Sequence, residues 1–210
     1  MDSSSEISHS QIDSAPVTTL QVDFTWSKFQ ARITQKDASE PLYFIDFHSV
    51  KAPHLVFRSS ADGATIGTGT LHVVAIDAKY DVHGHKGTIK ALKRFKTMYT
   101  HLSYAYSESE TPVPMTWTSS CGFRSWDFIC LDEQQMPVAK FSASTYTMKK
   151  IGNIDFMGPK AMSNAMRDEI VVTGITLFYC MVLRSTNFLS LVGAFFAKPG
   201  PIEDGASAKP

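Results

Sequence analysis

Cysteine is scarce. The 210 residues hold three, Cys121, Cys130 and Cys180. An odd number cannot pair completely within the chain, so a disulfide framework is excluded as the organising device and a reduced, cytoplasmic protein is expected. An excess of one charge is lacking as well. With 20 basic and 20 acidic residues, no global field draws the chain to nucleic acid, and any electrostatic attraction has to be local. The first residues, MDSSSEISHSQIDSAP, have neither the basic nor the apolar stretch that a secretory signal needs, and they read as a disordered Ser-rich tail over 1–16. Nucleophile-elbow, zincin, phosphate-loop and dinucleotide signatures are missing, so no cofactor is expected and any chemistry would leave no motif.

Apolar runs of bilayer length are also absent. The longest, Ile170 to Leu183, has about 14 residues and is closed by Arg184, short of the ~18–20 that span a membrane. It predicts a helix buried on every face. Such a helix must be wrapped by other elements. Asp168 and Glu169 at its start and Arg184 at its finish match the helix dipole, and Gly174 would let a neighbour approach closely. Cys180 falls inside the run, where it serves as a small hydrophobe.

Elsewhere the hydrophobic period is two. Leu42–His48, His54–Arg58, Leu71–Ile76, Leu102–Tyr106, Trp126–Leu131 and Val138–Ser142 read as strands. Ala61-Asp62-Gly63, His83-Gly84-His85, Pro112 to Pro114 and Asp132 to Pro137 read as turns between them. The glycines of Thr65–Thr70 lack a following helix and are taken as strand residues with a bend. With no repeat and no second composition block, the chain is expected to form one mainly β domain over 17–197, followed by a flexible tail over 198–210.

Five segments in order, MTWTSS from Met115, WDFICLDE from Trp126, VAKF from Val138, KIGNI from Lys150 and RDEIVVTG from Arg167, resemble the tubby C-terminal-like superfamily. The likeness is to its small fungal members, with phospholipid scramblases and LURP-one-related proteins as more distant relatives. It covers roughly 42–183. It implies a closed antiparallel β-barrel around a hydrophobic C-terminal helix, the arrangement the apolar run requires independently. One departure is a second apolar run, Phe188 to Phe196, which is read as another core element or as a surface for a membrane or partner.

The resemblance also implies binding of phosphoinositide headgroups by basic side chains on barrel strands. The segment KGTIKALKRFK from Lys86 to Lys96 has five basic residues and no acid. As a strand it would set Lys90, Arg94 and Lys96 on one face and Lys93 on the other. Lys90, Lys93, Arg94 and Lys96 are therefore the candidate lipid- or phosphate-binding residues, against the ordinary alternative of a solvated strand. A non-enzymatic adaptor at an anionic lipid or membrane surface is the first functional expectation.

The second is a protein that binds an apolar small molecule, or a cofactor-free cyclase or isomerase of a fungal secondary-metabolite pathway. The third is a protein-interaction scaffold. If there is catalysis, Asp46, His48 and His72 are the candidates, since Asp46 and His48 share a strand face with Phe44 and could meet across an apolar wall. The competing assignment is an outward polar face. His83 and His85, at i and i+2 near Asp81 and Asp77, suggest a metal only weakly, because Gly84 makes them a hairpin tip where side chains splay, and no metal site is assigned. Trp117, Phe123, Trp126 and Phe128, with Met115, Met136 and Arg124, could line a pocket or fill the barrel against Phe178 and Tyr179. Because a central helix takes the interior, a ligand is expected at a barrel mouth or between the barrel and the tails.

Overall fold

The computed structural model describes residues 18–72, 74–93, 96–121, 125–144, 150–158, 163–186, 197 and 199–202. The predicted N-terminal tail and the Phe188–Phe196 run lie outside the described residues, as do Arg94, Phe123 and Arg124. Twelve strands follow one another: β1 (Thr19–Thr25), β2 (Gln30–Gln35), β3 (Pro41–Phe47), β4 (Leu55–Ser59), β5 (Thr65–Thr70), β6 (Ala78–Val82), β7 (His85–Ala91), β8 (Met98–Ser103), β9 (Val113–Cys121), β10 (Ser125–Leu131), β11 (Pro137–Ser144) and β12 (Lys150–Phe156). Among the described residues a single α-helix, α1 (Asn164–Thr186), comes last.

Each strand pairs antiparallel with the next, and β12 returns to β1, so the sheet closes into a barrel. Alternation explains the closure. Leu20 and Val22, Ala31 and Ile33, Tyr43 and Ile45, and Leu55 and Phe57 point inward and are buried, while their neighbours stay at least partly exposed. A closed ring removes the two outer edges that an open sheet would expose.

The helix fills the interior. It is long and apolar enough to cross a membrane by length and composition, but every residue from Asp168 to Phe178 is buried inside the barrel. It begins at Asn164 rather than at the apolar boundary. Ser163 caps it, its Oγ accepting from Met166 N at 3.1 Å, so the predicted start was one capping residue and a polar turn too late. Asp168 and Glu169 are consequently not at the terminus. They lie in the second turn, and their partners are side chains rather than the helix dipole.

The helix lies against β5 and β6. Gly67 leaves room for Val172, since an added Cβ would stand 2.8 Å from its methyl, and Gly69 makes the same room for Thr176. Across the barrel the wider gap is filled by rings. Phe178 meets Trp126, Phe128 and Phe141 edge to face at 5.4 to 6.4 Å, and Trp117 packs where Gly174 has no side chain. The described aromatics of that segment therefore belong to the core.

Two strand expectations are corrected. Described residues between Leu71 and Asp77 form a loop, apolar because Ile76 is buried at the barrel end without a ladder partner. The Leu102–Tyr106 run is β8 read too late, since pairing with β9 ends at Ser103.

Candidate functional site

Tyr43 at the start of β3, His83 at the β6–β7 turn, His101 late in β8, and Asp168 and Glu169 of α1 all lie at the end of the barrel where the helix enters. The β6–β7 turn is tight. His83 and Gly84 both have positive φ, 50° and 88°, as a two-residue hairpin loop that follows the sheet twist requires. Asp81 Oδ1 holds the turn by accepting from Gly84 N at 2.9 Å, and His83 N donates to Ile66 O at 3.0 Å. The backbone thereby aims the His83 ring at the helix.

Asp168 receives it. His83 Nε2 lies 2.9 Å from Asp168 Oδ2, with the imidazole side chain 45% exposed and the carboxylate side chain 9% exposed. The other oxygen, Oδ1, accepts from the Tyr43 hydroxyl at 2.5 Å, and Arg167 Nε donates to that same hydroxyl at 2.6 Å. Burial and the adjacent Asp168 carboxylate hold the Tyr43 phenol well above its ordinary range, so it remains a donor. A chain of Arg167, Tyr43, Asp168 and His83 results, ending in a ring that reaches solvent.

Glu169 anchors a second set. Its Oε1 lies 3.2 Å from Nε2 of the fully buried His101, and its Oε2 accepts from Ala105 N at 3.3 Å. Tyr80 stands edge-on to His101 at 5.7 Å and donates to Leu102 O at 2.6 Å. It crosses beneath β7 at Gly87, where a side chain would collide with its ring.

The wall itself opens here. β7 and β8 pair only at Lys90 with Thr100 and Ala91 with Tyr99, and toward this end they part. A cavity of about 410 Å³ lies in the gap, lined by Tyr80, His83, His85, Leu102, Tyr104 and Glu169 among others. His85 stacks on Tyr104 at 4.4 Å, forming its outer lip. The two histidines of the His-Gly-His turn thus diverge, one to Asp168 and one to Tyr104. Among the described residues no group of three or more His, Cys, Asp or Glu side chains is placed to hold a metal.

The residues singled out from the sequence lie elsewhere. Asp46 is on the outer face of β3, 3.0 Å from Arg58 Nε and accepting from Gln30 Nε2 at 2.8 Å. His48 is exposed beyond the strand, 3.0 Å from Pro53 O. The pair expected to meet across an apolar wall is therefore drawn to separate partners, because inward positions on β3 fall to Tyr43 and Ile45. His72 is in the loop after β5, near His54, whose protonation it disfavours together with His48 after the larger effect of burial.

The basic stripe is also divided, since β7 ends at Ala91. Lys90 Nζ donates to Pro201 O at 2.9 Å and Gly200 N to Ala91 O at 3.1 Å, so part of the predicted flexible tail lies along β7. Lys93 and Lys96 are exposed in the connection to β8. Burial pushes the Cys180 thiol up to about 12 and also raises Cys130, so neither is a ready nucleophile.

Sequence reasoning took Asp168 and Glu169 only as dipole partners. The signal that marks them is two acids within a segment that must be buried, since such acids need histidine, tyrosine or arginine partners from other strands. In comparisons with protein-family models, curated proteins and solved structures, nothing matches this chain.

Proposed function

We propose that the protein binds a small organic molecule in the cavity between β7 and β8 and moves a proton on it without a cofactor. His83 is the acid-base group and Asp168 the residue that orients it. One observation carries this proposal: a nearly buried carboxylate, fixed from behind by Tyr43 and Arg167, holds a half-exposed imidazole at the wall of a cavity. With Nε2 committed to Asp168, Nδ1 is the nitrogen left to a ligand. It can take a proton from an acidic carbon, hold it as imidazolium beside the Asp168 charge, and return it to another atom of the same molecule. Such a step is redox-neutral, and its product is an isomer. The cavity volume lies at the small end of the range for organic ligands, roughly 300–1,000 Å³.

The test is deuterium uptake from D₂O at the α-carbon of a cyclic ketone probe, 2-tetralone, followed by NMR. Exchange is expected above that of free imidazole at equal concentration and is expected to fall about 10²-fold or more in His83→Asn. Asn tolerates the positive φ, so this variant keeps the turn. Exchange no faster than the imidazole control, or equal in the variant, would overturn the proposal.

A second proposal, adhesion to anionic lipid, draws on the tubby-like resemblance and on one arrangement. Lys93 and Lys96 are exposed at the same end of the barrel as Phe29, which is 45% exposed within an aromatic cluster. Basic and aromatic side chains at one end suit an anionic interface.

A further inference from the structure

The opening between β7 and β8 is not fraying of either strand. β7 is paired to β6 from His85 to Ile89, and β8 to β9 from Met98 to Ser103, yet the ladder between them stops at Lys90 and Thr100. Two strand edges therefore lie open within the ring.

Alternation identifies the groups that face the opening. Val82 and His85 flank a two-residue hairpin loop, so they exchange both backbone hydrogen bonds, as do Tyr80 with Gly87 and Ala78 with Ile89 along the same ladder. Their N–H and C=O groups turn to β6. Those of Lys86 and Thr88 turn the other way, toward β8, in phase with Leu92, whose N donates to Met98 O at 2.8 Å where the chains still meet. Continuing the register of Lys90 with Thr100 sets Leu102 opposite Thr88. The Leu102 carbonyl accepts instead from the Tyr80 hydroxyl at 2.6 Å, a side chain standing in for the missing rung. The N–H and C=O groups of Lys86 and Thr88 have no such substitute among the described residues.

The outer face above this edge carries one sign. The side chains of Lys86 and Thr88 lie there, as does that of Lys79, which is paired with Thr88 on β6. Both lysines are exposed, and neither is within ion-pair distance of an acid among the described residues. Asp81, opposite Lys86 in the ladder, accepts from Gly84 N. A donor and an acceptor repeated at every second residue along one line are matched by an extended backbone, whereas a small molecule can meet only one rung. Lysines above that line favour acidic side chains.

We infer that the open edge of β7 takes up an extended acidic peptide segment of a partner protein as an added strand. The segment lies over the mouth of the cavity, so it is a partner separate from the small ligand, and the inference stands whether or not His83 moves a proton.

The probe is a fluorescein-labelled ten-residue peptide alternating glutamate and valine, titrated with the full chain by fluorescence anisotropy. It is expected to bind about tenfold or more tighter than a lysine-valine peptide, and the difference should shrink as salt rises. Methylating the peptide nitrogens at every second residue removes the donors from one side of the strand only. Of the two phases, one should cost about tenfold or more and the other less than about threefold. Thr88→Pro deletes an N–H on the open edge without breaking a rung and is expected to weaken binding about tenfold. Lys79→Ala with Lys86→Ala should remove most of the preference for the acidic peptide, whereas His83→Asn should leave its affinity unchanged. Equal effects of the two methylation phases, no preference for the acidic peptide, unaltered affinity in a folded Thr88→Pro variant, or no binding at millimolar protein would overturn the inference. So would a dimer of the full chain that Thr88→Pro abolishes, because the edge would then belong to a second copy.

Discussion

At the end of the barrel where α1 enters, two buried carboxylates meet histidines and tyrosines beside a cavity. At the end where it leaves, Phe24, Phe29, Phe47 and Tyr179 close on one another edge to face at 5.0 to 5.9 Å, and Arg184 Nη1 donates to the Tyr99 hydroxyl. The same strands supply both ends. The entry end keeps polar groups that cost free energy to bury and pairs them with residues from distant strands, except His101 Nδ1, which has no hydrogen-bond partner, whereas the exit end seals with rings. Polar groups retained under a strand gap, beside open volume, are the less economical solution for stability, a cost that the proton transfer proposed for His83 would account for.

The largest expected effect breaks the element that joins the two ends. Ile175 is fully buried in mid-helix, and Ile175→Asp should cost about 3–5 kcal/mol or more and leave no cooperative unfolding transition by circular dichroism. A soluble, well-folded variant would mean that the helix does not fill the core. Next is Asp168→Ala, which strands the Tyr43 hydroxyl and frees His83. A loss of about 2–3 kcal/mol in denaturant titration is expected, and Asp168→Asn should recover part of it by keeping an acceptor for Tyr43. If both variants were neutral, the entry-end network would not be a structural unit.

The exit end is tested by binding to vesicles containing phosphatidylserine. Lys93→Ala with Lys96→Ala should weaken adhesion by about 1 kcal/mol per residue, and raised salt should mimic it. Unchanged adhesion would remove these lysines from any lipid surface. The smallest effect concerns pH. Burial, then His72 and His48, hold His54 below its ordinary 6.5, so the unfolded chain takes up that proton first. The stability His54 contributes is whole above pH 6.5 and is lost as pH falls from there through the lower folded-state value. Thermal melts between about pH 8 and pH 5 should show a shallower acid-side decline for His54→Asn, whose amide oxygen can still accept from Leu71 N. An identical slope would assign the decline to other groups.

Much of the fold was legible because burial leaves periodic marks. The Ile170–Leu183 run forces a wrapped helix, and alternating runs such as Trp126–Leu131 give strands whose inward residues are the observed core. The His-Gly-His turn was readable for the same local reason. The site was not. Tyr43 and Asp168 are 125 residues apart, and His83 and Asp168 are 85 apart, distances over which neither period nor spacing carries information. Asp46 and His48 stand two residues apart in an aromatic run, yet parity on β3 turns Asp46 outward and the strand ends before His48. The basic run misled in a similar way, since charge density said nothing about where β7 ends.

The order of elements has a kinetic consequence. Every described strand precedes the helix that occupies the barrel interior, so a nascent chain that has already paired its hairpins still presents a lining of Val, Ile, Leu and Phe with nothing to cover it. Closure between β1 and β12 spans most of the chain and is slow by contact order. Until residues 164–186 emerge, the ring cannot become a dry core, and the half-built sheet is an adhesive surface of the kind that chaperones hold. Maturation of this protein is therefore gated by its last described element: truncation within α1 should yield aggregates rather than a smaller folded barrel.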